Sequence, residues 1–506
     1  MIIKRIRVSI AIVIFALITF YFLDFANILP LKTHALLQIQ FVPALLAGSF
    51  IVVVALLLLT LLLGRIYCSV ICPLGIFQDI ISWISKKFSH KKKYKSGKEK
   101  KILRSIILLS VIIAFFAGGN FLVSLLDPYS AFGRMVTNVL RPLYMEVNNL
   151  LALVFNHFDN FTFYNVNIYI LSLFSLITGI LTFGAIAFLA WKYGRTYCNT
   201  ICPVGTILGF VSKFSILKVR INDQACIACG LCEMNCKSSC IDSKNMKIDY
   251  SRCVDCYNCL SVCNKNAISY GFPHKKSLKI PTEPDSSKRT FLSILALSTL
   301  AMPGKMVAQN LNKIGVGKSY RKQNPSSPPG SISAEHLLNH CTACHLCVSK
   351  CPSHVLKPAF MEYGLGGIMQ PMMNFEHGFC NYDCTVCSTV CPNGALNKLT
   401  KEEKHTLQMG RVVFIKTNCV VYRDETSCGA CSEHCPTQAV KMVPYKNGLT
   451  IPSTNPDICV GCGGCESICP AKPYRAIYVE GNPVHLQAKH FKETKTKKVD
   501  LDSFGF

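Results

Sequence analysis

Four long apolar stretches stand out from polar and charged surroundings in the first two hundred residues: Val8 to Phe25, Pro43 to Leu63, Ile106 to Leu126 and Ile168 to Trp191. Each is near the length a helix needs to cross a bilayer, so the pattern predicts four membrane spans, the first of them the shortest. Lys4, Arg5 and Arg7 precede the first stretch. The loop after the second carries Lys86, Lys87, Lys91, Lys92, Lys93, Lys95, Lys98, Lys100, Lys101 and Arg104, whereas Asp24 to Val42 and Asp127 to Asn167 hold few basic residues. Because basic loops stay on the cytoplasmic face, both ends of this helical unit are expected there. The lysine run can also be a solvated loop without changing that orientation.

Beyond the last stretch the chain turns polar and divides at changes of composition. The reading places a four-helix membrane domain at 1–215, a small cysteine-rich domain at 216–272, a linker at 273–335, a larger cysteine-rich domain at 336–485 and a basic, solvated tail at 486–506. The linker contains Ser286-Ser287-Lys288-Arg289-Thr290-Phe291-Leu292-Ser293 followed by the apolar run Ile294 to Met302, which reads as a signal segment with a basic start. Whether 291–307 is cleaved or stays as a fifth span is left open at this level.

Composition agrees with a chain partly in lipid: 506 residues are 50% apolar and only 16% charged. The formal charge of +26 points less to nucleic acid than to a cytoplasmic membrane face, because metal-bound thiolates remove part of it and much of the rest sits in one loop and one tail. No nucleic-acid partner is expected. The 29 cysteines fall into tight clusters of short fixed spacing, which is how metal sites look and how disulfide scaffolds do not.

Six motifs carry that chemistry. The first pair is Cys226, Cys229, Cys232 and Cys236 with Cys253, Cys256, Cys259 and Cys263, in bacterial ferredoxin spacing. Three cysteines on a tight loop wrap three corners of a 4Fe-4S cubane, while the fourth ligates the other cluster. One cluster is therefore assigned to Cys226, Cys229, Cys232 and Cys263, the other to Cys253, Cys256, Cys259 and Cys236. Lys237 and Asn264 stand where proline usually follows the fourth cysteine. Four further motifs each end in Cys-Pro: Cys341, Cys344, Cys347 and Cys351; Cys380, Cys384, Cys387 and Cys391; Cys419, Cys428, Cys431 and Cys435; Cys459, Cys462, Cys465 and Cys469. Which of these lends its last cysteine to which neighbour cannot be read from spacing. In the first pair structural zinc is disfavoured because four sulfurs crowd into eleven residues, without the longer loop between ligand pairs that zinc sites use. Cys240 lies outside the pattern and reads as a bystander thiol, or as a substitute for Cys236 in another loop register.

The helical unit repeats itself. Gly64-Arg65-Ile66-Tyr67-Cys68-Ser69-Val70-Ile71-Cys72-Pro73-Leu74-Gly75 is matched by Gly194-Arg195-Thr196-Tyr197-Cys198-Asn199-Thr200-Ile201-Cys202-Pro203-Val204-Gly205. The repeat predicts two helical pairs related by an approximate two-fold axis. Cys68, Cys72, Cys198 and Cys202 then have three readings: ligands of a further cluster, making seven, redox-active dithiols, or caps at helix ends where proline turns the chain. Arg65, Arg195, Tyr67 and Tyr197 read as interfacial anchors. None of the four apolar stretches contains a histidine, and there is no dinucleotide-binding glycine fingerprint, so electrons are not expected directly from NADH. Quinol is the natural membrane donor.

Residues 1 to about 270, with two Cys-x3-Cys-Pro motifs and the two-cluster tail, resemble the NapH/MauN family of membrane ferredoxin-type quinol dehydrogenase subunits. Residues from about 286 onward resemble the NapG/MauM family of four-cluster ferredoxins behind a twin-arginine export signal, although Lys288-Arg289 replaces the twin arginine. The resemblance implies a fusion: an α-helical membrane domain followed by α+β ferredoxin-like domains. It further implies six 4Fe-4S clusters and a multi-pass protein of the bacterial inner membrane, with 216–272 cytoplasmic and 336–506 periplasmic. The expected role is the electron-transfer component of a quinol dehydrogenase, in contact with membrane lipid and quinol, passing electrons towards a periplasmic cytochrome or reductase of the nitrate-reductase type. The alternative is a redox assembly or regulatory protein of the NosR kind, which also carries Cys-x3-Cys-Pro spans.

Overall fold

Helices make up the first two hundred residues of the computed structural model, which describes residues 2–26, 28–29, 35–88, 94, 99–169, 172–272 and 322–489. The export-like segment, including 291–307, lies outside the described residues, as do most of the lysine run and the tail from residue 490 onward.

The expected four-span domain is not what the chain builds. Among the described residues two helices are long and apolar enough to cross a membrane: α1 (Ile2–Leu23) and α11 (Leu173–Tyr193). The other two stretches are broken by glycine. From Pro43 to Leu63 the chain forms α3 (Phe41–Leu46), turns at Gly48 with φ +68°, and resumes as α4 (Phe50–Leu63). The 14 residues of α4 extend only about 21 Å at 1.5 Å per residue, short of the roughly 30 Å hydrocarbon core. From Ile106 to Leu126 the chain forms α7 (Lys101–Phe116), turns at Gly118 with φ +77°, and continues in the short α8 (Asn120–Leu126). Composition over twenty residues is blind to such a turn, because glycine costs little hydropathy yet adopts a left-handed conformation that ends a helix.

The remaining helices are α2 (Ala35–Gln38), α5 (Tyr67–Val70), α6 (Pro73–Phe88), α9 (Pro128–Met135), α10 (Arg141–Asn156) and α12 (Pro203–Ser212). Pro73 and Pro203 open α6 and α12 at the first helical position, where a missing N–H costs nothing. Single π-helical turns occur at Val136–Leu140 and Tyr197–Ile201.

Two small α+β modules flank this unit. In the first, β1 (Lys218–Ile221) pairs antiparallel with β4 (Ile268–Gly271), and β2 (Ile241–Asp242) with β3 (Lys247–Ile248). In the second, β5 (Leu356–Pro358) pairs with β6 (Pro371–Met373), β8 (Val440–Pro444) with β9 (Thr450–Thr454), and β7 (Leu407–Phe414) with β10 (Ile477–Gln487). The register of β10 reaches Gln487, opposite Leu407. The cysteines themselves form much of each module's core.

The long helices run from one module to the other. At the start of α1, Lys4 donates to Ser261 of the first module at 3.0 Å; just past its end, Asp24 pairs with Lys350 of the second at 2.9 Å. At the start of α11, Phe174 packs edge-on against Phe360 of the second module with ring centroids 4.8 Å apart. Just past its end the Arg195 N–H donates to the Lys237 carbonyl of the first module at 2.9 Å. At 22 residues, α1 extends about 33 Å.

Candidate metal centres

In the second module each motif bends its first three cysteines around one room and sends its fourth into a neighbour's. Cys341, Cys344 and Cys347 line a cavity of about 350 Å³ with Cys391. Cys380, Cys384 and Cys387 line one of about 320 Å³ with Cys351. Cys419, Cys428 and Cys431 line one of about 340 Å³ with Cys469. Cys459, Cys462 and Cys465 have Cys435 as their neighbour from another motif. The motifs thus exchange ligands as two pairs, first with second and third with fourth.

Local backbone explains the exchange. Ala343 and His345 hold positive φ between the cysteines of the first loop, curling it so that successive thiols face one point. The Cys-Pro ending then acts on the fourth cysteine. A residue before proline is driven out of the helical region, and Cys391 (φ −69°, ψ 116°) and Cys469 (φ −59°, ψ 118°) end their short helices in extended backbone that carries them to the next room.

In the first module Cys253, Cys256 and Cys259 share a cavity of about 350 Å³ with Cys236. Cys240 lines the same cavity with its Sγ 3.5 Å from that of Cys236, so it is no remote bystander. Cys226 and Cys229 lie beside Cys232, and Cys263 packs against the same core. Cys229 is exposed.

Among the described residues, no three His, Cys, Asp or Glu side chains converge closely enough for a single metal ion. The thiols instead line rooms, as the ligands of a multi-iron cubane do. Several sulfurs also receive hydrogen bonds, from the Ala343 N–H to Cys341 at 3.4 Å, the Ala439 N–H to Cys435 at 3.1 Å and the Lys404 Nζ to Cys380 at 3.3 Å. Such bonds stabilise the more negative, reduced form of a cluster. Nothing in the motif spacing marks Lys404, which reaches its thiol from 24 residues downstream.

The repeated Gly-Arg-x-Tyr-Cys segments come together from the two halves of the helical unit. Cys68, Cys72, Cys198 and Cys202 are all buried, in one hydrophobic cluster. Arg65 and Arg195 are not interfacial anchors but wholly buried, and each crosses to the other half. Arg65 donates to the Cys198 carbonyl at 3.3 Å and approaches the Cys68 Sγ at 3.7 Å; Arg195 donates to the Cys68 carbonyl at 2.6 Å. Gly75 and Gly205 make room for this crossing. A Cβ on Gly75 would sit 3.0 Å from Arg195 Nη1, and one on Gly205 2.9 Å from Arg65 Nη2, each 2.2 Å from a cysteine carbonyl.

Sequence reading also missed Asp79. Its carboxylate is held by Arg195 at 2.6 Å, Lys237 at 2.5 Å and Arg7 at 3.3 Å. Lys237 is the residue that replaces the usual proline after Cys236, and it fastens the first module onto the helical unit through both its side chain and its carbonyl.

Comparison with known proteins bears on many of these cysteines. A family model described as a 4Fe-4S binding domain matches twice, at residues 45–92 and 175–222, and models described as 4Fe-4S dicluster domains match 249–355 and 426–472. This chain is an iron-sulfur, ferredoxin-like protein. It is similar to the ferredoxin-type protein NapF of Escherichia coli (strain K12), 28% identical over 166 residues that make up 33% of this chain and 93% of NapF. The ferredoxin-type protein NapG of the same organism is 26% identical over 202 residues, 37% of this chain and 83% of NapG. The putative electron transport protein YccM is 25% identical over 288 residues, 56% of this chain and 70% of YccM. No solved structure matches.

In this iron-sulfur protein a bound cluster supplies one-electron redox chemistry. The chain's part is to deliver four thiolates, keep water away and set the potential through burial and hydrogen bonds to sulfur. Ligand exchange between motifs makes a checkable prediction. Cys391→Ala should remove the cluster shared with Cys341, Cys344 and Cys347, lowering bound iron by about four atoms per chain. Adding Cys344→Ala should lower it no further, whereas adding Cys384→Ala should remove a second set. Iron and acid-labile sulfide assays on anaerobically purified protein read the difference, and the reverse pattern would show that the motif keeps its own fourth cysteine.

Proposed function

We propose that this protein is a membrane-bound relay in which a NapH/MauN-like part and a NapG/MauM-like part share one polypeptide, passing electrons from the quinol pool to a reductase or cytochrome beyond the membrane. The observation that carries the reading is that α1 and α11 each end on the first module at one end and on the second at the other. Both have the length and composition for a bilayer. With those helices across a membrane, the first module faces the cytoplasm and the second the opposite side, in keeping with Lys4, Arg5 and Arg7 at the start of α1. Six cysteine sets then form two groups, one for each face.

Washed membranes containing the protein test this. A reduced quinol analogue should bleach the cluster absorbance and raise the cluster radical signals, and protease added outside spheroplasts should cut the second module while sparing the first. Absence of quinol-dependent bleaching would overturn the donor, and protection of the second module would overturn the sidedness. A maturation defect in a partner enzyme, with electron flow intact, would favour the assembly role instead.

A further inference from the structure

The two Cys-x3-Cys-Pro pairs belong to no room in either module, and their placement is specific. Cys72 and Cys202 occupy the positions just before α6 and α12, where the Gly75 and Gly205 N–H groups point at their sulfurs, the latter at 3.3 Å. Helix N-termini favour negative charge at that spot. The buried guanidiniums of Arg65 and Arg195 reach Cys68, the first at its sulfur and the second at its carbonyl, and Gln78 Nε2 lies 3.1 Å from the Cys198 sulfur. Arg195 Nη2 is buried with no hydrogen-bond partner among the described residues. A buried donor in that state calls for an acceptor or an anion beside it. None of the four thiols is disulfide-bonded.

Depth is the second observation. α6 lies alongside α11, with Phe77 against Phe183 at 5.5 Å between ring centroids and the Ser82 and Ser85 hydroxyls donating to the Ala190 and Trp191 carbonyls. Phe183 is the midpoint of α11, so the start of α6 lies well inside the span between the modules. The hydrophobic cluster around the four cysteines takes in Cys256 of the first module and Cys344 of the second.

We propose that Cys68, Cys72, Cys198 and Cys202 jointly hold one 4Fe-4S cluster, a seventh centre that joins the first module's Cys253 set to the second module's Cys341 set. Each half of the repeat supplies two thiolates, so neither half binds the cluster alone. The positive groups around the site match the net negative charge of a cluster with four thiolate ligands. The step is a single electron lost by the iron-sulfur centre of one module and gained by that of the other, with no bond made or broken. The idea deepens the relay reading, and its first test does not depend on quinol.

Full-length protein purified anaerobically in detergent should contain about 28 iron atoms per chain, against about 24 for six clusters, with sulfide in proportion. The double variant Cys72→Ser/Cys202→Ser should lose about four of them, keep the Mössbauer and paramagnetic signatures of the module clusters, and slow electron equilibration between the modules at least tenfold after flash reduction of one of them. Wild-type protein with about 24 iron atoms, or a double variant with unchanged iron, would overturn the site. Loss of that iron with unaltered equilibration would overturn its joining role. A full count without quinol-dependent bleaching would leave this site standing and sink only the donor.

Discussion

Asp79→Asn is expected to loosen the first module from the helical unit and to lower stability by about 3–5 kcal/mol, the usual cost of removing one partner from a buried ion pair. Arg195 and Lys237 would be left charged, buried and without their carboxylate, and Arg7 would lose its partner at 3.3 Å. The exposed pair Arg423–Asp424 is the control, since breaking an ion pair that water already screens changes stability little. Thermal unfolding in detergent and limited proteolysis between residues 212 and 218 check the prediction. An Asp79→Asn variant as stable as Asp424→Asn would show that the module is held by apolar contact alone. The effect should persist at high salt, because buried charges are poorly screened.

The second large effect is at the other end of the helical unit. Asp24 and Lys350 pair at 2.9 Å with both side chains buried, and Asp24 also accepts the Ile28 and Leu29 N–H groups at 3.0 and 3.2 Å. Lys350→Met alone should cost about 3–5 kcal/mol and free the second module for proteolysis. Asp24→Leu alone should cost at least as much, because those two N–H groups lose their acceptor as well. The double variant Asp24→Leu/Lys350→Met should be more stable than the sum of the single losses predicts, with a coupling of about 1–3 kcal/mol, since no uncompensated charge remains. Strict additivity in that cycle would mean that the two residues stabilise their surroundings independently and do not dock the module.

How far the chain could be read depended on whether the signal was local. The three-cysteine loops were legible because the loop ligands of one cluster are, except after Cys419, separated by only two or three residues, a spacing visible without any fold. The fourth ligand was not legible in the second module, because Cys391 and Cys469 leave their own loops and find a room built by another motif. Hydropathy located all four apolar stretches but missed the turns at Gly48 and Gly118, since a window average counts glycine as neutral while its left-handed φ ends a helix. Arg65 and Arg195 looked like interface residues because an arginine beside an apolar run usually reaches for water. Their true environment depends on partners more than 120 residues away.

What the sequence by itself determined is the chemistry: thiolates in cubane spacing, and a duplicated Cys-x3-Cys-Pro segment, both written in contiguous residues. What only the tertiary structure decided is connection. It paired the motifs, replaced two expected spans with broken helices, and brought two cysteine pairs more than a hundred residues apart into one buried site between the modules. The physical reason is the same in each case. Ligand spacing is set by covalent geometry over a few residues, whereas exchange of ligands, burial of charge and the crossing of two halves arise when distant segments pack and each buried polar group must find its partner.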